Sequence, residues 1–326
     1  MSVIGRATVD EVCARAARRL AAVDPLLPEA VDLPTGCGAM LVAGSTEDSA
    51  RPTAVASCER WEGEPGSLGL AWGAARRFRL IPAIAGPDGA TALDSLIEQW
   101  REHLADVHDT DGEDTASGIV WPSRDAEGIR VLLRHGMAPR SVVGARVTRF
   151  DLGERAPSRP LPEGIVIRRA GPADIDVVTS LNIALVRYDD YFGSVIERPE
   201  TEEHLRTGSA QLLAAPEPWT WLAERDGVAI GVLEGLRPET ATWIAATTRM
   251  APAAYLQQGF VLATERGSGV GAMLTAAFHV ELAKTGVAVA LLHYSQVNPL
   301  SAPFWSQQGY RPLWTTWEAR PARTLR

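Results

Sequence analysis

The amino-acid sequence predicts an α/β fold made of two similar halves, and three observations lead to this prediction. The chain has 326 residues, a length that favours two domains. Hydrophobic residues make up 46% of it, which is enough apolar material for a core in each domain. A strand, a turn and a short helix also follow one another in the same order in both halves.

The repeat is clearest where that short helix ends. Residues 135–139 are His-Gly-Met-Ala-Pro, and residues 308–312 are Gln-Gly-Tyr-Arg-Pro. A glycine, an apolar residue, any residue and a proline therefore recur at both helix ends. Between the halves, several prolines exclude regular structure and indicate a connector. We therefore predict a first domain at 1–153, a linker at 154–163 and a second domain at 164–326.

The first half is predicted to begin with a helix. Thr8 and Glu11 have the spacing of a capping box, apolar residues then recur at helical spacing, and Pro25 ends the pattern. Further along, a Gly-Pro-Asp-Gly-Ala turn at 86–90 precedes a helical run at 93–104.

The second half carries a longer set of predicted elements. They are strands at 228–236 and 255–263, a glycine-rich loop at 266–271, a helix at 272–283 and a strand at 287–294.

The glycine-rich loop, Arg-Gly-Ser-Gly-Val-Gly, has the clearest chemical meaning. Its glycines let the backbone approach a phosphate closely, and the following helix supplies orphan N–H donors and the positive end of its dipole. Arg266 adds a fixed charge that can bind two phosphate oxygens at once. Short glycine motifs recur by chance, so the surrounding sequence decides the interpretation.

With its surroundings included, the chain resembles the GCN5-related N-acetyltransferase superfamily over residues 163–320. Arg266, Gly269 and Gly271 fill that family's Gln/Arg-x-x-Gly-x-Gly/Ala signature. A second signature is filled by Asn298, Ala302, Phe304, Trp305, Gly309 and Tyr310.

The resemblance implies two tandem acetyltransferase-like domains, each with a mixed, mostly antiparallel sheet flanked by helices. The first domain is predicted to be degenerate, because its 86–90 turn lacks the arginine and the glycine spacing of 266–271. A structural role for that half is favoured, with Trp121 as a core aromatic. Alternatively, Trp121, Arg124 and Asp125 line a cleft that the two halves share.

The resemblance also implies acetyl-CoA as the acyl donor and assigns residues to it. In the family, the strand before the phosphate loop splays from its neighbour, and the pantetheine arm pairs with the freed backbone. By position, these backbone groups belong to Gly259, Phe260 and Val261. The pyrophosphate would be held by Arg266, Gly267, Ser268, Gly269, Val270, Gly271 and Ala272, and the rest of the cofactor would contact Asn298, Phe304 and Trp305. Asn298 is alternatively a turn residue before Pro299.

Three residues are candidates for the base that removes a proton from the amine. They are His293, the natural base at neutral pH, then Tyr255 and then Glu234, which alternates with apolar residues and is expected to have a raised pKa. Each is alternatively a satisfied polar residue in or beside the core. Many relatives have a tyrosine acid where this chain has Trp305, whose indole N–H donates a hydrogen bond but does not release a proton.

The composition of the chain argues against several classes of binding partner. The net charge of −8 argues against a nucleic acid bound by a general basic field. Three cysteines, Cys13, Cys37 and Cys58, match no metal spacing and are expected to be reduced, and no metal is implied. No signal peptide and no membrane span are predicted, so we expect a cytoplasmic protein.

These observations favour an enzyme that moves an acetyl group from acetyl-CoA to an amine of a small molecule, by direct attack in a ternary complex. Aromatic and acidic residues at 188–192 suit an amine acceptor, although a polar surface loop explains them equally well. The main alternative is a CoA-binding regulatory module with little or no turnover. Acetylation of a protein N-terminus or lysine is a third, and it needs a peptide groove that the sequence does not indicate. The oligomeric state is not predicted.

Overall fold

The computed structural model describes residues 5–34, 38–44, 52–148 and 162–326. Its first half contains the helices α1 (Arg6–Val23), α2 (Gly89–Ala105) and α3 (Ala126–Arg134), and the strands β1 (Met40–Gly44), β2 (Pro52–Glu62), β3 (Arg76–Ile84), β4 (Thr115–Pro122) and β5 (Ala138–Val147).

The second half repeats this plan with additional elements. Its helices are α4 (Ile175–Asp190), α5 (Thr201–Leu213), α6 (Thr242–Ala245), α7 (Val270–Lys284) and α8 (Ser301–Gln307). Its strands are β6 (Ile165–Arg169), β7 (Thr220–Arg225), β8 (Val228–Leu236), β9 (Ala253–Val261), β10 (Val289–Ser295) and β11 (Arg311–Ala319).

All of these strands form one continuous sheet, in the order β1-β2-β3-β4-β11-β5-β10-β9-β8-β7-β6. The last strand of each half lies in the other half, since β11 pairs with β4 and β5 pairs with β10. The two exchanged strands also pair with each other, antiparallel, at the centre of the sheet. The halves therefore share a sheet and cannot separate without breaking backbone hydrogen bonds.

The sheet is mixed and mostly antiparallel, with helices on its faces, as predicted. In the described residues the parallel pairs are β3 with β4 and β9 with β10, one in each half. On one face of the second half, α7 packs against the sheet, where Phe278 contacts Gly235. On the other face, Leu236, Tyr255 and Leu291 form part of a separate apolar cluster.

Most element predictions agree with the structure, with small shifts at the ends. The strand predicted at 228–236 is β8 with the same bounds, and Pro25 follows the end of α1 at Val23. The predicted capping box at Thr8 is wrong: α1 begins at Arg6, and the N–H of Thr8 donates to the Gly5 carbonyl, so Thr8 lies inside the first turn. Trp121 is a core aromatic, 4% exposed.

Several expectations concern residues outside the described ranges. The predicted linker lies there except for Pro162 and Glu163, and so does Cys37. Cys13 and Cys58 are buried free thiols. Among the described residues, no helix combines the length and apolar character that crossing a membrane requires.

Candidate acetyl-donor and acceptor site

A gap opens in the sheet between β9 and β10. Their parallel pairing joins residues 253–256 to residues 289–292 and ends at Leu256 and Leu292. Beyond this point β9 pairs only with β8, and β10 pairs only with β5. A β-bulge places Gln257 as an extra residue between the partners of Glu234 and Gly235, and such bulges twist a strand away from its neighbour.

The predicted donor-arm residues Gly259, Phe260 and Val261 lie on the β9 side of this gap. They pair with β8 on one edge, and backbone groups alternate between the two edges of a strand, so Gly259 and Val261 face the gap. The Val261 carbonyl already accepts from Arg266, and the remaining groups are available to a ligand. A Cβ added at Gly259 would lie 3.6 Å from the Trp305 ring, which is ordinary packing distance. The indole of Trp305 therefore contacts the strand beneath the gap.

The glycine-rich loop follows β9 directly and leads into α7. Gly267 and Gly269 have φ of +78° and +95°, conformations that side chains rarely adopt, and Gly269 is the N-cap of α7. A Cβ added at either would meet no atom within 4 Å, so the loop faces open space. The first N–H groups of α7, from Val270 to Ala272, lack intrahelical partners and point the positive end of the helix toward this space. This cradle suits a pyrophosphate.

Two loop residues are held by local contacts. Ser268 donates its hydroxyl to the Glu265 carbonyl at 2.5 Å, which closes the turn before α7. Gly271 packs against Phe304, whose ring would lie 3.2 Å from a Cβ at that position. The contact fixes α8 against the first turn of α7, and a larger residue at 271 would push the two helices apart.

Arg266 is fixed at the mouth of the gap. Its Nε donates to the Val261 carbonyl at 3.3 Å, and its guanidinium lies 4.3 Å above the Tyr188 ring and 5.7 Å from the Phe260 ring. Stacking of this kind orients the flat guanidinium group and leaves its other N–H groups for an anion.

Asn298 lies just beyond β10 and is 3% exposed. Its Oδ1 accepts from the Leu300 N–H at 3.0 Å, and its Nδ2 donates to Asp189 at 3.1 Å. The turn role is therefore present in the structure, and the amide also ties the end of α4 to the gap. Its role toward a cofactor stays a prediction.

Asp189, at the end of α4, is the carboxylate that the Asn298 amide contacts. Burial raises the pKa of Asp189 to about 6, although the hydrogen bond from Asn298 and the charge of Arg266 act in the opposite direction. A carboxylate with a pKa near neutrality is suited to accept a proton.

The gap opens into a cavity of about 1050 Å³ on one face of the sheet. Residues of both halves line it, among them Asp189, Tyr255, His293, Arg77, Arg140 and Arg320. A cavity of this size accommodates a small molecule.

Two of the predicted bases meet in the wall of this cavity. The Tyr255 hydroxyl lies 2.9 Å from Nδ1 of His293. The Trp243 ring stacks on His293 with 6.2 Å between centroids and meets Tyr255 edge-on at 4.9 Å. Burial raises the pKa of Tyr255 well above its usual range, so the phenol keeps its proton.

His293 is exposed to the cavity, and protein surrounds its ring on the other sides, where Tyr255 and Trp243 contact it. This enclosure lowers the pKa of His293 to about 4, so the imidazole is neutral at pH 7. A base with such a low pKa removes a proton from an amine poorly, whereas a neutral imidazole positions a substrate well.

Glu234, the third predicted base, lies behind the cavity wall and is fully buried. Its Oε2 accepts from Nδ2 of Asn182 at 2.7 Å, whereas its Oε1 has no partner among the described residues. Burial raises the pKa of Glu234 to about 7, as the sequence predicted in direction. The structure does not bring it to the surface of the cavity.

Among known structures, the chain is similar to a GCN5-related N-acetyltransferase from Sphaerobacter thermophilus, with 15% identity over 97% of this chain and 92% of that one, at a TM-score of 0.59. An acetyltransferase of the GNAT family from Colwellia psychrerythraea is 12% identical over 98% and 97% of the two chains, with a TM-score of 0.48. No protein-family profile and no curated protein sequence matches this chain.

The chain has the fold of the GCN5-related N-acetyltransferases. The similarity to the Sphaerobacter thermophilus protein extends over nearly all of both chains, so the two halves together correspond to that structure. The acetyltransferase fold supports many sites, so the activity has to be argued from the residues at the gap and in the cavity.

In the first half, the turn at 86–90 occupies the place of the phosphate loop, and two arginines of α1 contact its ends. The parallel pairing of β3 with β4 ends at Arg79 and Gly118, which repeats the splay of the second half. Arg15 of α1 donates to the Ala85 carbonyl at 3.2 Å, and the Arg19 guanidinium lies against Gly89 at the start of α2. Because side chains of α1 already contact both ends of this turn, a second phosphate site is not expected there.

Sequence reasoning missed the residues that only folding brings together. Asp189 was grouped with the aromatic and acidic residues at 188–192 and was not a candidate base, and Trp243 belonged to no motif. The sequence signal for Asp189 was its position at the end of an amphipathic helix, next to aromatic residues. Among the described residues, no group of three His, Cys, Asp or Glu side chains is arranged to hold a metal ion.

Proposed function

We propose that this protein transfers an acetyl group from acetyl-CoA to an amine of a small molecule, by direct attack in a ternary complex. One observation carries the proposal: the splayed β9–β10 gap joins a glycine cradle at the start of α7 to a cavity of about 1050 Å³. A thioester donor and an amine acceptor would thus enter from different sides and meet at the gap.

The residues that would hold the donor follow from this geometry. The N–H groups from Val270 to Ala272 and the stacked guanidinium of Arg266 would bind the pyrophosphate. The unpaired edge of β9 would bind the pantetheine arm. Acetyl-CoA supplies an activated acyl group as its thioester, and the protein contributes mainly by holding the two reactants in one orientation.

The acceptor amine has to lose a proton, and Asp189 is the group best suited to take it. It lines the cavity beside the gap, and its pKa of about 6 leaves it ionised at pH 7. Neutral His293 and the Tyr255 hydroxyl attached to it would then orient the acceptor, as hydrogen-bonding groups.

A regulatory module that binds CoA with little turnover is the second candidate, and the Trp305 indole favours it. Trp305 packs against Gly259 and Tyr310, so a packing role accounts for it and it supplies no acid for a leaving thiolate. Since a free thiol has a pKa of about 8.5, its departure as thiolate at neutral pH needs little help. Turnover is therefore the better proposal.

The first experiment is isothermal titration of acetyl-CoA into wild type, Gly269→Glu and Gly286→Glu. Both glycines have positive φ and open surroundings, and they lie at opposite ends of α7. The strain and the added charge are therefore matched, while only Gly269 faces the proposed phosphate. We expect binding to disappear in Gly269→Glu and to persist in Gly286→Glu.

Equal loss in both variants, or wild type without binding, would count against a donor site. If acetyl-CoA binds, a panel of amines tests turnover. Binding without acetylation of any amine would favour the regulatory module.

A further inference from the structure

Three arginine side chains converge on the part of the cavity that lies toward the first half. A Cβ added at Gly73 would lie 3.2 Å from Nη2 of Arg320 and 3.5 Å from Cζ of Arg77, so these two guanidinium groups flank one point. Arg320 donates to the Gly193 carbonyl at 2.8 Å, and a Cβ at Gly193 would lie 3.8 Å from Nη1 of Arg140. We call Arg77, Arg140 and Arg320 the arginine cluster.

The cluster contains more positive than negative charge. Glu318 pairs with Arg320 at 2.6 Å, and both side chains are largely buried. Within the described ranges, Arg77 donates only to main-chain carbonyls, those of Ala74 and Gly69, each at 2.8 Å. Among the described residues Arg140 makes no ion pair, and its Nε is buried without a hydrogen-bond partner.

The neighbouring charges do not neutralise this excess. Arg79 is paired with Glu59, and Asp114 is paired with Arg198, each at 2.8 Å. Glu318 also attracts Arg77 and Arg140, but it is paired with Arg320, so one carboxylate is shared by three guanidinium groups and positive charge remains in excess. Burying a charge without a partner is unfavourable, and structures that retain such charges commonly use them on a ligand.

The pKa shifts of these arginines agree with an excess of positive charge in the cluster. Burial, followed by the repulsion of Arg320, lowers the pKa of Arg140, and burial lowers the pKa of Arg77 to about 10. Both remain protonated at pH 7. The Trp61 ring lies 4.2 Å from the Arg77 guanidinium and restricts its orientation.

The cluster is close to the proposed reaction site. Val143 on β5 pairs with His293, and Arg140 is three residues before Val143, which is about 10 Å along a strand. A small molecule that reaches from His293 to Arg140 would thus extend along β5 and fill the cavity that both halves line.

We infer that the arginine cluster binds an oxyanion of the acceptor, so the acceptor is an amine that also bears a carboxylate or phosphate group. The fork of a guanidinium matches two oxygens of such a group. The inference rests on the proposed function for the amine, but the anion site itself is independent of turnover. It assigns acceptor selection to the first half and the donor site to the second.

The test measures anion binding to the full chain without acetyl-CoA. Succinate, inorganic phosphate and neutral succinamide are titrated by calorimetry into wild type, Arg140→Gln, Arg140→Lys and Arg134→Gln. Arg134 is a matched control, because it is 57% exposed on α3. Thermal unfolding of each variant confirms that it is folded.

We expect succinate or phosphate to bind wild type, with succinamide at least about tenfold weaker, and Arg140→Gln to lose about tenfold in anion affinity. Arg140→Lys should lose less, since it keeps the charge, and Arg134→Gln should bind like wild type. Stronger binding of succinate than of phosphate would indicate a carboxylate acceptor, and the reverse a phosphorylated one.

Absence of anion binding in wild type, or equal affinity in Arg140→Gln and Arg134→Gln, would overturn the inference. Anion binding in a protein that does not bind acetyl-CoA would leave the anion site standing and reject the proposed function. Acetyl-CoA binding without anion binding would reject the anion site and leave the proposed donor site standing.

Discussion

The hydroxyl of Tyr255 lies 2.9 Å from Nδ1 of His293, and this contact engages one of the two ring nitrogens. Tyr255 retains its proton because burial raises its pKa, and His293 is neutral at pH 7 because the enclosing protein lowers its pKa to about 4. The pair is thus an uncharged hydrogen-bonding unit in the cavity wall, with the second ring nitrogen left for a substrate.

We predict that His293 does not titrate between pH 5 and pH 8. Its ring resonances, assigned by comparison with His293→Gln, should keep constant chemical shifts over this range in NMR spectra. A midpoint near the ordinary histidine value of about 6.5 would contradict this environment and restore His293 as a general base.

Asp189 is predicted to determine the acidic limb of the pH–rate profile of an acetylated amine. The rate should rise as pH increases through about 6, because the base has to be ionised. Asp189→Asn should remove this limb and lower kcat by about 100-fold, a typical effect of losing a general base. Asp190→Asn, an exposed neighbour, is the control. An unchanged limb in Asp189→Asn would assign the base elsewhere.

The hydrogen bond from Asn298 lowers the pKa of Asp189, so its removal should have the opposite effect. We expect Asn298→Ala to move the acidic limb to higher pH, while the plateau rate changes less than it does in Asp189→Asn. A limb that stays in place would show that Asn298 does not influence the protonation of Asp189.

Glu234 is predicted to make stability depend on pH. Its pKa is raised from 4.5 to about 7 by burial, so its neutral form favours the folded state. This contribution is fully present below the unfolded pKa and is lost as pH rises through about 7. In urea unfolding between pH 5 and pH 8, the free energy of wild type should fall by about 2 kcal/mol more than that of Glu234→Gln. Glu203→Gln, exposed on α5, should behave like wild type. Parallel curves for Glu234→Gln and wild type would contradict the raised pKa.

Asp24, at the end of α1, is 1% exposed and accepts two hydrogen bonds from Arg311 on the exchanged strand β11, one of them at 2.7 Å. We expect Arg311→Gln to lower the free energy of unfolding by about 2–3 kcal/mol, because it leaves a buried carboxylate without its main partner. The exposed pair of Arg249 with Glu29 is the control, and Arg249→Gln should change stability by less than about 0.5 kcal/mol. Similar losses of unfolding free energy in both variants would mean that the ion pair of Asp24 with Arg311 does not stabilise the position of β11.

Local features of this protein could be predicted from a few neighbouring residues. Gly267 and Gly269 adopt the positive φ values that the loop requires, and Gly136 and Gly309, which marked the internal repeat, have φ of +77° and +86°. The bounds of β8 also followed from its alternation and its turn. Such features depend on the backbone preferences of a few neighbouring residues, and these preferences can be recognised without knowing the rest of the structure.

Contacts between residues that are distant in sequence could not be predicted in this way and became visible in the folded chain. The exchange of β5 and β11 pairs strands that are far apart in sequence, and it brings Arg77, Arg140 and Arg320 into one cavity. No local pattern encodes this, because strand order depends on the free energy of the whole sheet. The pKa values of Asp189 and His293 likewise follow from how much protein surrounds each group, and that is set by packing rather than by sequence neighbours.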